Sequence, residues 1–157
     1  MKKLVLLSAI VLAIVSCVGK NNASKQSEAV FDEQITDTSH PVLLYEMDKL
    51  FEEHQNSSRD DWDITVVKDF TAEDGTRIVY AVPCDKVCSA MIGVAVKDGV
   101  ILEASFVRGC PGNSIGVAKL VQDMTVEEAI SRLKGIDCSE RGTSCPDQLA
   151  KVLEKCK

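Results

Sequence analysis

The chain has 157 residues, 45% of them apolar by type, and 24 acidic against 18 basic side chains give a formal charge of −6. That length closes one ordinary hydrophobic core and excludes a large catalytic barrel. The acidic balance argues against a nucleic-acid partner, because gripping phosphate needs a basic face.

Met1 to Ser16 has the layout of a signal peptide: Lys2 and Lys3, an apolar run from Leu4 to Ile14, then small residues before Cys17. The apolar run is shorter than the ~20 residues of a spanning helix. Ile14-Val15-Ser16-Cys17 resembles the lipobox of bacterial lipoproteins, so Cys17 is the expected lipidation site and the expected location is the bacterial cell envelope, facing the periplasm or the exterior. Cleavage there removes Lys2 and Lys3 and leaves 16 basic against 24 acidic residues, a charge of −8. Membrane attachment then rests on the acyl chains rather than on charge. Residues 17–40, rich in Asn, Ser, Gln, Lys and acids, read as a flexible tether.

Pro41 opens a segment in which Leu43, Leu44, Met47, Leu50 and Phe51 recur at helical spacing. His40 and His54 flank it, and neither has a second His or Cys at ligand spacing, so cap or surface roles are expected. Trp62 to Phe70 alternates as a half-buried strand, with Ile64, Val66 and Phe70 on one side and Trp62 in the core. Ala72 to Gly75 is a turn, and Thr76 to Val82 a second strand with Ile78 and Tyr80 on one face and Val79 on the other. Ala90 to Lys97 and Val100 to Val107 form a hairpin about Asp98-Gly99. Residues 41–82 are thus an added helix and strands, and 83–157 a cysteine-bearing domain.

Three helices are expected after the hairpin. The first, capped by Asn113 or Ser114, carries Val117, Leu120 and Val121. The second opens on the capping box Thr125 to Glu128, turns Ala129, Ile130 and Leu133 inward and stops at Gly135. Ser144 caps the third, with Pro146 in its first turn, Asp147 completing an S-x-x-D box and Leu149, Val152 and Leu153 inward. The fold class is α+β: an antiparallel meander with helices packed on one face.

Seven cysteines are the chemical feature of the chain. Cys110 and Cys145 precede helix starts, where unpaired N–H groups favour a thiolate. Cys88 lies in the loop before the hairpin and Cys138 in the loop leading to Cys145. The four could form a tetrathiolate site for zinc or an iron–sulfur cluster, with Arg108, Lys119 and Arg141 offsetting charge, or two structural disulfides after export. Gly109-Cys110-Pro111-Gly112-Asn113 lacks the residues of a phosphate loop and reads as a tight turn presenting Cys110. Thiol redox chemistry using Cys110 with Cys138 or Cys145 is the alternative, although no pair has C-x-x-C spacing. A cysteine nucleophile would want a base, and both histidines belong to the added segment, so no catalytic residue is assigned. Cys84 and Cys156 remain as a possible disulfide.

From Cys88 onward the chain closely resembles the TSCPD domain, known as a small stand-alone protein and as a C-terminal module of certain ribonucleotide reductases. The matching stretches are Gly109-Cys110-Pro111-Gly112-Asn113, Leu133 to Cys138 and Thr143-Ser144-Cys145-Pro146-Asp147-Gln148-Leu149-Ala150. The order of cysteines and elements is more distantly similar to the scaffold proteins of iron–sulfur cluster assembly. The first resemblance implies a link to ribonucleoside-diphosphate reductase activity in relatives, which a chain without the barrel would carry only as an accessory module, with or without a metal and with an unidentified protein partner.

Overall fold

The structure, a computed structural model, describes residues 41–157, with side chains from Glu46 onward. The leader, Cys17, the tether and His40 lie outside that description, as do the side chains of Leu43 and Leu44. Helix α1 spans Pro41–His54, and strands β1 (Thr65–Thr71), β2 (Arg77–Val82), β3 (Ser89–Lys97) and β4 (Val100–Arg108) follow. Helices α2 (Pro111–Val121), α3 (Val126–Leu133) and α4 (Cys145–Glu154) end the chain. The strands form one antiparallel sheet in the order β1-β2-β3-β4, the expected α+β meander. Among the described residues no helix is long and apolar enough to cross a membrane.

Period-two alternation divides the sheet residues between two cores. Val79 and Ala81 of β2, with Ile92, Val94 and Val96 of β3, meet Val121, Val126, Ala129, Ile130, Leu149, Val152 and Leu153. Tyr80, Val82 and Met91 point the other way and pack with Met47 and Leu50 of α1. The one-face expectation therefore describes α2, α3 and α4, while α1 covers the opposite face. Gly93 makes this second layer possible. It pairs with Tyr80, and a Cβ there would stand 2.6 Å from Met47 Sδ and 3.1 Å from the Tyr80 ring.

Turn chemistry fixes the hairpin: Asp98 (φ 50°) and Gly99 (φ 77°) both take the left-handed backbone that a two-residue connection between twisted strands requires. The cap of α3 is also as expected, with Thr125 Oγ1 accepting from the Glu128 N–H at 3.2 Å. Ser144 Oγ accepts from the Asp147 N–H at 3.2 Å at the start of α4.

Three expectations fail for identifiable reasons. In β1 the register shifts between Val66 and Lys68, so Val67 bulges out and the alternation breaks; Val66 is exposed, and Val67 and Phe70 pack on the α1 side instead. Helix α2 begins earlier than Asn113 or Ser114 would cap it: Cys110 is the N-cap, without a side-chain cap bond, and Pro111 opens the helix. Leu120 faces solvent, 71% exposed, because Val117, Ala118 and Val121 occupy the inward face of α2. Trp62 precedes the sheet and is 53% exposed rather than core. Its ring lies against Gly142, where a Cβ would be 2.9 Å from Cζ3, and beneath the Lys86 ammonium at 3.0 Å from the ring centre.

Tyr80 is fully buried, and among the described residues its hydroxyl has no hydrogen-bond partner. Burial first, then the charges of Glu46 and Glu103, pushes the phenol up to about 12. The neutral form is thus favoured in the fold, and this stability contribution, complete below the unfolded value of about 10, is lost as pH rises toward about 12. Tyr80→Phe is expected to leave stability at pH 7 unchanged or raise it by about 1 kcal/mol, since it removes an unpaired buried hydroxyl. It should also flatten the loss of stability above pH 10, as read by urea unfolding of both proteins at pH 8 and pH 11.

Candidate functional site

The Thr143 to Gln148 stretch is a buried polar anchor with one thiol among its residues. Asp147, 6% exposed, accepts from the Gly135 N–H (2.7 Å) and the Thr143 hydroxyl (2.7 Å), tying both ends of the α3–α4 loop to the first turn of α4. Gln148 is fully buried. Its Oε1 accepts from the Cys84 N–H (3.0 Å), and its Nε2 donates to the Trp62 carbonyl (3.2 Å) and to Thr143 Oγ1 (3.1 Å). Every polar atom of that amide head is engaged, as burial demands. Asp147 thus spends both carboxylate oxygens on loop and helix-start bonds.

This anchor sets Cys145 in the first turn of α4, 9% exposed, packed with Cys84, Val87 and Phe106. The fully buried Ser89 hydroxyl donates to its sulfur at 3.3 Å. Cys110 stands exposed at the N-cap of α2, raised there by Arg108 (φ 60°) and Gly109 (φ 101°). At Gly109 a Cβ would lie 2.8 Å from Ser114 Oγ, so only glycine fits this turn. Cys88, exposed, receives a hydrogen bond from Arg141 Nη1 at 3.7 Å, and the same nitrogen donates to the Lys86 carbonyl at 3.3 Å. Cys138 is exposed in the α3–α4 loop, its N–H held by the Thr143 carbonyl at 3.1 Å.

Electrostatics links these sulfurs. The Cys110 thiol is pushed up, first by the negative charge of Cys88, then by burial and a hydrogen bond with Cys88, and least by the charges of Cys145 and Cys138. The helix start was expected to lower it; repulsion among neighbouring sulfurs outweighs that influence. Cys88, Cys138 and Cys145 all lie within electrostatic reach of Cys110. They do not close on a single point: among the described residues no group of three or more His, Cys, Asp or Glu side chains is arranged to hold a metal ion.

Of the three cations expected to offset this charge, only Arg141 reaches a sulfur. Arg108 stacks over Phe51, 4.8 Å from the ring centre, and Lys119 is in the last turn of α2, away from Cys110. His54 Nδ1 is paired with the Leu50 carbonyl at 2.9 Å, one turn back in α1. Cys84 and Cys156 are both free thiols. Cys84 follows the end of β2, whereas Cys156 lies on the main core within the influence of Arg77 and Asp69, at the other end of that strand; a bridge between them would have to span β2. Burial pushes the Cys156 thiol up to about 11.

Two residues behind the site were not read from the sequence. Ser89 follows Cys88 directly, which is its only sequence signal. Arg59, in a polar loop, spends Nε on the Pro83 carbonyl (2.9 Å) and Nη2 on those of Cys84 (2.5 Å) and Ser89 (2.8 Å), holding the Cys88 loop from outside the sheet.

The TSCPD domain family matches residues 68–157, more than half of the chain, and the protein belongs to that family. The match begins inside β1, so β2 and most of β1 fall within the family region and not in an added segment. No curated protein and no solved structure gives a significant match.

Since Cys88 is the main influence on Cys110, Cys88→Ser is expected to move the pH profile of Cys110 alkylation toward lower pH. Site-resolved iodoacetamide labelling by mass spectrometry reads the shift, and an unmoved profile would show that the two sulfurs do not interact.

Proposed function

We propose that this TSCPD protein is a lipid-anchored metal-binding module without turnover of its own, taking zinc or an iron–sulfur cluster on Cys88, Cys110, Cys138 and Cys145. The observation that carries the reading is the convergence of influence on Cys110: three other thiols, one before β3 and two from the α3–α4 loop and the start of α4, raise its proton affinity together. Mutual repulsion of this kind is what a soft cation relieves, and deprotonated sulfur is the preferred donor for zinc and for iron–sulfur clusters. The surroundings suit such a charge. Arg141 faces Cys88, Ser89 donates to Cys145, and two helices begin at Cys110 and Cys145. Bound metal would supply a cross-link among three loops or, as a cluster, a redox centre; the chain's own residues would supply the sulfur donors and fix their orientation. Closing the sulfurs on one point requires motion of the exposed ligands Cys88, Cys110 and Cys138 toward the anchored Cys145.

Thiol redox activity is the second reading, and it is favoured by the prominence of Cys88 in the environment of Cys110. That observation points to a Cys88–Cys110 pair in place of Cys110 with Cys138 or Cys145. One experiment separates the two. Full-length protein purified anaerobically in detergent is expected to carry about one zinc ion, or the iron and sulfide of one cluster, per chain by elemental analysis. Cys145→Ser should lose most of it. Metal-free protein with all four thiols titrating would overturn the metal reading, and a Cys88–Cys110 linkage after treatment with oxidised glutathione would support the redox one.

Membrane attachment through lipid on Cys17 rests on Lys2, Lys3, the apolar run and the Ile14 to Cys17 junction. Cys17→Ala is expected to leave the leader uncleaved and to abolish acyl labelling. Normal processing and unchanged detergent partition in that variant would end the lipid reading.

A further inference from the structure

On the α1 side of the sheet a cavity of about 140 Å³ is lined by Phe51, His54, Gln55 and Arg59, by Val82 and Ala90, and by Arg108. No acidic side chain lines it, in a chain where acids outnumber bases by 24 to 18. Neither arginine belongs to any of the ion pairs among the described residues, which are Lys68–Glu46, Arg77–Asp69, Lys97–Asp74, Arg132–Glu128 and Lys134–Glu154. Both are nonetheless held in place. The Nε and Nη2 of Arg59 are fixed on three backbone carbonyls, which leaves Nη1 without a described bond. Arg108 keeps its guanidinium stacked over Phe51, on a backbone (φ 60°) that a side-chain-bearing residue seldom adopts. His54 uses Nδ1 on α1 and retains Nε2.

We propose that this cavity binds a small organic oxyanion, its carboxylate or phosphate head between Arg59 and Arg108 and a short apolar group against Phe51, Val82 and Ala90. Arginine suits both heads, because its planar fork can donate two parallel hydrogen bonds to either. The mixed lining matches a head-and-tail ligand better than a bare ion: donors stand at one set of positions and an aromatic and two aliphatic side chains at another. The proposal is independent of any metal at the cysteines.

The test titrates full-length protein in detergent micelles with butyrate and, separately, with methyl phosphate, following backbone amide NMR shifts at constant ionic strength set with chloride. Saturable shifts at residues 54–59, 82–90 and 108 are expected for at least one probe, and the probe that binds more tightly identifies the head group. Arg108→Gln should weaken binding about tenfold or more, as loss of a charge-assisted contact does. Ala90→Leu, which fills the cavity and leaves every charge in place, should abolish it. Lys86→Ala, which removes a cation that does not line the cavity, should leave it unchanged. Absence of saturation with both probes, equal weakening in the Arg108 and Lys86 variants, or undiminished binding in Ala90→Leu would each overturn the proposal.

Discussion

The amide of Gln148 is the contact on which the arrangement of this protein depends. It is fully buried on the helix that closes the main core, yet it reaches back to the Cys84 N–H and the Trp62 carbonyl, more than sixty residues earlier in the chain. A buried amide left without partners costs about 1–3 kcal/mol, so the three segments have a common interest in one geometry. Asp147 performs the same service over a shorter range, joining the end of α3 to the start of α4. Together they turn a helix start into a junction where four separate stretches of chain meet. Four of the six residues from Thr143 to Gln148 serve this junction or cap the helix through their side chains, Pro146 opens it, and Cys145 is the residue thereby delivered to the thiols. The part of the family signature most conspicuous in sequence is for the most part architecture.

This division explains a contrast among the thiols. Cys145 is buried, bonded and placed by the rigid junction, whereas Cys88, Cys110 and Cys138 stand exposed on turns. One buried sulfur thus stands with three exposed ones, an arrangement that differs from a preformed cage. Arg59 holds both ends of the loop carrying Cys88, since the carbonyls of Pro83, Cys84 and Ser89 are tied to one guanidinium. The same arginine borders the cavity under α1, so the loop carrying Cys88 and the cavity share a wall.

Local signals read well in this sequence wherever the backbone alone decides the outcome. Asp98-Gly99, Thr125, Ser144 and Gly135 each have one conformation or one cap bond to offer, and the structure uses it. Patterns that depend on counting read less well: the bulge at Val67 reversed the faces of β1, and in α2 the inward face went to Val117, Ala118 and Val121, leaving Leu120 outside. Trp62 was misplaced because an aromatic residue can be partly covered by a single glycine and a lysine without entering a core. The electrostatic link of three cysteines to Cys110 accords with the expectation drawn from the family resemblance and the two helix starts, although among the described residues no cluster closes on one point. The supporting residues were not legible, because Ser89, Arg59 and Gln148 act across long sequence separations with no periodic trace. The Cys84–Cys156 pairing failed for the complementary reason: two cysteines left over by a family pattern carry no information about distance.

The irregularity in β1 bears on how this protein behaves among copies of itself. β1 is an outer strand, and an outer strand offers a row of unsatisfied backbone groups to any similar strand that drifts past. Val67 interrupts that row and twists the strand, while Lys68 and Asp69 put opposite charges along it. The irregularity that defeated the alternation pattern thus doubles as a barrier to edge-to-edge polymerisation.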